Sequence, residues 1–295
     1  MSELFPGFEP RRIRTSGATI NLVVGGDGPP LLLLHGYPET HAMWHKVAPQ
    51  LARDYTVVCP DLRGYGDSSK PRGAPDHSNY SKRAMALDMA QAMESLGFLG
   101  FHVVGHDRGG RVGHRLARDF GKRVRTLTVL DISPTLKMYQ STSYPFARAY
   151  WHWFFLIQEA PMPERLLARH APWYILRRLG RGKSGMKHFD PRAVARYAKA
   201  FKDPRTIHAT CEDYRAAATI DLVHDKQDLR RKLRMPVLAL WGKHGVIEAL
   251  FDCLADWREV ADDVRGRALN CGHFIPEEKP RELLAELRRF IGARR

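Results

Sequence analysis

The stretch Gly105-His106-Asp107-Arg108-Gly109-Gly110-Arg111-Val112 decides how this 295-residue chain is read. It follows an apolar run, Phe101-His102-Val103-Val104, that has the composition of a short buried strand. It leads into Val112-Gly113-His114-Arg115-Leu116-Ala117, which has the composition of a helix. Small-x-Asp-x-small between a strand and a helix is the form of a nucleophile elbow, with Asp107 where a hydrolase more often places Ser. A turn this sharp needs small residues on both sides, and Gly105 and Gly109 supply them. A tight strand-to-helix turn with an exposed Asp carries the same local signature. The elbow alone therefore leaves the catalytic and structural readings even.

The surrounding rhythm places the elbow. Leu31 to Leu34 is a continuous apolar run, the mark of a strand buried on both faces. It ends in His35-Gly36-Tyr37-Pro38, a loop whose backbone N–H groups point into a crevice. Residues 11–25 read as an antiparallel hairpin at a sheet edge, Met43 to Leu51 as a helix, and Tyr55 to Cys59 as a strand. A turn-rich loop, Pro60 to Ser68, follows. Met85 to Leu96 has helical spacing and stops at Gly97. Val124 to Leu130 is another apolar strand, ending at Asp131-Ile132-Ser133-Pro134. Alternating strands and helices predict a parallel, doubly wound sheet. Ligands in such sheets bind beyond the carboxyl ends of the strands, so His35, Asp61, Asp107 and Asp131 are expected on one rim.

After Pro134 the rhythm breaks. Residues 135–230 are rich in aromatic and basic side chains and contain no convincing strand; between 161 and 205 there are 12 Lys or Arg against 3 Asp or Glu. Sheet rhythm returns at Pro236 to Trp241. A last strand, Val264 to Leu269, leads into Cys271-Gly272-His273-Phe274. A closing helix from Pro280 to Ile291 carries Leu283, Leu284, Leu287 and Phe290 on one face. The expected organisation is a core made of residues 1–134 and 231–295, with a helical cap inserted at 135–230.

The formal charge is +15 with 44% hydrophobic residues. The cations are spread along the chain and are not interleaved with aromatics, which argues against nucleic acid. A positive field also steers small anions. The four cysteines form no CxxC pair, so metal spacing is absent, and Cys59 reads as a reduced core residue. The first residues carry no apolar leader, and no segment is long enough to span a membrane. A cytoplasmic protein without a membrane partner, metal or organic cofactor is expected.

Asp107, Asp131 and His273 occur in an order and context that fit a catalytic set. With His35-Gly36-Tyr37-Pro38, Asp61-Leu62-Arg63-Gly64-Tyr65-Gly66-Asp67-Ser68, Gly105 to Gly110 and Gly272-His273-Phe274, the chain resembles the α/β-hydrolase superfamily over nearly its full length. The resemblance implies a mostly parallel eight-stranded sheet with helices on both faces and a helical cap. An Asp nucleophile is already ionised near neutral pH. It can displace a leaving group from saturated carbon and form an alkyl ester, which water activated by His273 then hydrolyses. The backbone N–H groups of Tyr37 and Arg108 are candidates for the oxyanion hole, where one donor is worth roughly 3–4 kcal/mol. This design suits alkyl halides and epoxides.

Arg108 and Arg111 lie three apart at a helix N-terminus, an end that is already electropositive. Two guanidinium groups there oppose the helix unless an anion is held, and their planar forks match a carboxylate. Surface placement competes for Arg111. Asp107-Arg108-x-x-Arg111, Trp151-His152-Trp153 and Cys211-Glu212-Asp213-Tyr214-Arg215-Ala216 are similar to the haloacetate (fluoroacetate) dehalogenase family. The resemblance implies that Arg108 and Arg111 hold the substrate carboxylate, while His152, Trp153 and Tyr214 donate hydrogen bonds to the departing halide. Many hydrolases place the triad acid where this chain has Gly245. Asp131 is the first choice for that acid and Glu248 the second; Asp61 and His106 read as structural.

The leading expectation is hydrolysis of a 2-haloacetate to glycolate and halide, with haloacid and halide ion as the molecules bound. An epoxide hydrolase on the same scaffold is the alternative. It would need Tyr214 and one of Tyr144, Tyr150 or Tyr174 to protonate the epoxide oxygen, and a neutral epoxide gives the paired arginines no use. A non-catalytic ligand-binding protein of the same fold is the third reading. Fluoride against chloride, and a homodimer against a monomer, are not decided by the sequence.

Overall fold

The computed structural model describes residues 3–181 and 185–292. Eight strands form one sheet: β1 (Glu9–Arg14), β2 (Thr19–Gly25), β3 (Pro30–Leu34), β4 (Thr56–Pro60), β5 (Phe101–His106), β6 (Val124–Leu130), β7 (Val237–Gly242) and β8 (Val264–Leu269). They lie in the order β1-β2-β4-β3-β5-β6-β7-β8. β1 pairs with β2, and β2 with β4, antiparallel; the remaining neighbours are parallel. The mostly parallel α/β-hydrolase sheet expected from the sequence is therefore the sheet found.

Burial follows the apolar pattern. Leu31 to Leu34 and every residue of β5 are buried, because helices cover both faces of the central strands. Edge strand β1 is mostly exposed and carries Arg11, Arg12 and Arg14; charges on an edge discourage pairing with another chain.

The elbow sits at the centre of this sheet. Asp107 has φ 47° and ψ −115°, and the helix behind it runs Arg108–Asp119, beginning directly after the nucleophile position. A non-glycine residue at positive φ is strained. The flanking glycines make the turn possible by close approach: a Cβ on Gly105 would lie 2.5 Å from the Gly109 carbonyl oxygen, and one on Gly109 would lie 2.4 Å from that of His35.

Two local readings changed. The single helix expected over Met43 to Leu51 is a 3-10 turn, His41–Lys46, followed by a short helix, Ala48–Leu51. Pro49 has no N–H to donate and fits only the first turn of a helix, so it divides the segment. Between β6 and β7 the described residues form eight helices and no strand, from Thr135–Gln140 to Ile220–Gln227. Five of the eight have Pro in their first turn, which explains why they are short and change direction so often. Among the described residues, no helix is long and apolar enough to cross a membrane.

The elbow's packing is testable. Gly109→Ala pushes a methyl into the β3 backbone and is expected to destabilise the fold by about 1–3 kcal/mol, the range for overpacking. An unchanged denaturation midpoint would show that β3 and the elbow relax apart freely.

Candidate active site

The nucleophile candidate lies at the end of β5. Asp107 is buried, and its Oδ1 accepts the backbone N–H of Tyr37 at 3.0 Å. Burial alone pushes its carboxyl up. The charges of His273, His106, Arg111 and Arg108 outweigh burial and bring it down to about 2. The carboxylate is ionised and aimed.

His273 stands in the loop after β8. Its Nδ1 donates to Asp131 Oδ2 at 2.5 Å, and Asp131 Oδ1 accepts the Gly242 N–H at 2.9 Å. Asp131 follows β6 with φ 54°, so the strand end is bent to present its carboxylate. The His106 ring donates to the His273 carbonyl at 2.8 Å and pins the loop. Burial, Arg181 and His106 lower the His273 imidazole against the pull of Asp131, to about 4. Glu248, the second choice for the acid, is exposed and instead accepts from the Trp241 indole. Gly245 has a physical reason too: a Cβ there would come within 3.3 Å of Asp131 Oδ1. Asp61 accepts from Asn21, His41 and the Asp67 N–H, so it ties loops together below the rim.

The arginines differ from expectation. Arg108 is fully buried, and two of its three nitrogens are taken by Asp213: Nε to Oδ2 at 2.9 Å and Nη2 to Oδ1 at 2.7 Å. Tyr65 and Lys82 also donate to Asp213. Only Nη1 of Arg108 is left without a partner among the described residues, so the expected two-pronged grip on a substrate is reduced to one nitrogen. Arg111 is buried as well and has no carboxylate partner among the described residues. Its Nη1 reaches Ser133 O and Thr135 Oγ1, its Nη2 reaches Met138 Sδ, and Nε is unpartnered. Surface placement of Arg111 is ruled out by its burial.

His152, Trp153 and Tyr214 come together although they lie on two helices, Trp151–Leu156 and Pro204–Ala218. The Tyr214 ring is 5.8 Å from His152 and 6.4 Å from Trp153, and the Arg108 guanidinium lies 4.1 Å over it. Trp153 Nε1 and His152 Nδ1 have no partner among the described residues. Tyr37 stands 6.2 Å from His152, ring to ring. The cleft that Asp107, His152 and His273 line measures about 10 Å³, space for roughly one water. A wider cleft of about 1030 Å³ between the β1 side and the inserted helices shares no lining residue with it.

Three residues were missed at the sequence level. Arg178 and Arg181 line the cleft, and Arg178 Nη2 meets His152 Nε2 at 3.1 Å. The only signal was the excess of cations over residues 161–205, which does not say which of them point inward. Asp213 lies beside Tyr214 in the run Cys211 to Ala216, where its sequence position carries no sign of its pairing with Arg108. Tyr144 is 78% exposed and leaves the list of acidic hydroxyls for an epoxide, whereas Tyr150 lines the cleft.

Asp213→Asn leaves Arg108 and Lys82 buried without their carboxylate. A loss on the order of 3–5 kcal/mol in unfolding free energy is expected, measured by denaturant titration; a loss below about 1 kcal/mol, typical of exposed pairs, would show that solvent reaches the pair.

Known proteins share this architecture. A family model for the alpha/beta hydrolase fold matches residues 29–280. The chain is 48% identical to a fluoroacetate dehalogenase of Burkholderia sp. over 98% of its own length and 95% of the relative's. It is 35% identical to a soluble epoxide hydrolase of Corynebacterium sp. (strain C12) over 94% of each. The crystal structure of an alpha/beta hydrolase from Nostoc sp. PCC 7120 superposes with a TM-score of 0.96 at 54% identity, covering 97% of this chain and 99% of that one. With fold, site order and sequence in agreement, the chain belongs to the α/β-hydrolase fold family, as a relative of fluoroacetate dehalogenase.

Proposed function

We propose that the protein hydrolyses the carbon–halogen bond of a small 2-haloacid, haloacetate first, to the hydroxy acid and halide. The observation that carries this reading is the surplus of cations around Asp107. Arg111, Arg178 and Arg181 have no carboxylate partner among the described residues; Arg178 and Arg181 line the cleft with Asp107, and Arg111 acts on the Asp107 carboxylate from the elbow helix. An anionic substrate brings that balance closer to neutrality; a neutral one leaves it uncompensated. The 48% identical fluoroacetate dehalogenase supports the same reading.

In this mechanism Arg111 and the free Nη1 of Arg108 orient the substrate carboxylate. An Asp107 carboxylate oxygen attacks the halogen-bearing carbon; the C–O bond forms as the C–X bond breaks, and the halide leaves with the bonding pair. His152, Trp153 and Tyr214 replace the halide's water. His273, neutral because its pKa is depressed, takes a proton from water, which attacks the Asp107 carbonyl carbon. The resulting oxyanion is Asp107's own oxygen, and the Tyr37 N–H already rests on Oδ1. Asp131 holds the imidazolium until its proton passes to the departing alkoxide; the water's second proton, left on the Asp107 carboxyl, is released to solvent and the carboxylate is regenerated.

A second reading, epoxide hydrolysis, is favoured by the 35% identical relative and by Tyr150 and Tyr214 near one nucleophile. It uses the same Asp–His–Asp set but leaves Arg111 without a task.

Halide release from fluoroacetate and chloroacetate, assayed beside diol formation from a neutral epoxide, separates the two; diols without halide release would reverse the choice. Asp107→Asn is expected to fall below about 10⁻⁴ of the wild-type rate. In a single turnover in ¹⁸O-water the product hydroxyl is expected to carry ordinary oxygen, since it comes from Asp107. Label in the first-turnover alcohol would exclude the ester.

The pH profile follows from the same charges. His273 acts only when neutral, and a depressed pKa keeps it neutral further into acid. Because His273 acts on the ester, after the halide has left, its protonation is read in kcat; with His273 at about 4, kcat is expected to fall below about pH 4. An acid limb near 6.5, the ordinary histidine value, would show that Arg181 and burial do not act on the base.

A further inference from the structure

We infer that Arg178 is a positioning residue for His152: it fixes the imidazole as the neutral Nδ1–H form and polarises that N–H toward the halide. The inference rests on the haloacid reading above for its reaction and on geometry for its tautomer. A guanidinium carries donors only, so the ring nitrogen that Arg178 Nη2 meets at 3.1 Å must accept. His152 Nε2 is therefore the lone-pair nitrogen, and the ring proton sits on Nδ1. Both side chains are buried, Arg178 at 8% exposure and His152 at 3%, so water does not replace either partner. Nδ1 has no acceptor among the described residues, and the ring lines the cleft with Asp107 and His273.

The groups around the ring agree with a neutral imidazole. Arg178 and Arg181 stand on the insertion side, Arg108 and His273 on the sheet side, and the rings of Tyr37, Tyr150 and Tyr214 pack around it. Burial first, and then these cations, push His152 well below its ordinary value. Asp107, the carboxylate in the same cleft, is the nucleophile and is spent when the ester forms.

The arrangement solves a problem specific to a poor leaving group. A neutral N–H is a modest donor, and an imidazolium would hold its charge only below its pKa. Arg178 places a permanent charge on the far ring nitrogen, and hydrogen bonds in a chain strengthen one another in a dry site. The donor facing the halide thus gains charge assistance and no proton is gained or lost by the ring. Fluoride, small and strongly hydrated, needs such a donor most; bromide needs it least.

The test compares wild type, Arg178→Gln and Arg178→Met on fluoroacetate, chloroacetate and bromoacetate, with the His152 ring nitrogens read by ¹⁵N NMR. Gln can still donate to Nε2 but has no charge; Met does neither. Arg178→Met is expected to slow fluoride release by about 10²-fold, the typical effect of one missing oxyanion donor, with a much smaller effect on bromide. Arg178→Gln should fall between them. Both variants lack the cation, so the fluoride acid limb should rise in each as His152 becomes able to protonate, and rise less in Arg178→Gln, whose amide can still donate to Nε2. Wild-type nitrogen shifts should show Nδ1 protonated and Nε2 bare. Equal losses on all three halides, or an Nε2–H ring in wild type, would overturn the inference and leave Arg178 as packing. If wild type released no halide from any haloacid, the functional reading would fall, and the nitrogen shifts alone would then decide the role of Arg178.

Discussion

A guanidinium and a carboxylate withdrawn from water hold the two halves of the active cleft together. Arg108 follows Asp107 on the elbow, and Asp213 precedes Tyr214 on an inserted helix. Two unit charges inside a protein lose much of their hydration, so such a pair persists only when its geometry is complete. Here it is: Asp213 accepts from Arg108, Lys82 and Tyr65, and the Tyr214 ring lies under the guanidinium. The pair fixes where the inserted helix sits over the sheet. It thereby sets the distance between Asp107 on the elbow and Tyr214 on the inserted helix.

The remaining charges are arranged around that fastening. At Asp107 the field comes from His273, His106, Arg111 and Arg108, and at the His273 ring from Arg181 and His106. That field does three things at once. It keeps Asp107 ionised despite burial, it keeps His273 a free base, and it favours an anion between them. Asp131 works against it at one point only, under the His273 ring, where a positive charge has to be tolerated briefly.

The legible parts of this molecule were those with local signatures. Gly105 and Gly109 are demanded by contacts a few residues away, and the apolar runs of β3 and β5 by burial on both faces; both can be read along the chain. Asp131 and His273 were legible because the end of a strand in a parallel sheet has a known place. Arg178 and Asp213 were not. Their roles depend on partners 26 and 105 residues distant, and nothing in a basic, aromatic helix says which of its arginines turns inward. Arg108 was legible only in part for the same reason: its fork suits a carboxylate, and the sequence could not say that Asp213 takes Nε and Nη2 and leaves Nη1. The helix over 43–51 failed locally, where Pro49 should have been read as a boundary.

Asp131 and Gly245 also bear on where such a site can seat its acid. The triad acid can stand on either of two adjacent strands, and the same histidine is served from both. The two positions crowd each other, since a Cβ at 245 would stand 3.3 Å from Asp131 Oδ1. An acid at 245 would therefore need the Asp131 carboxylate to move, so the two positions are coupled through one small volume beside the His273 ring.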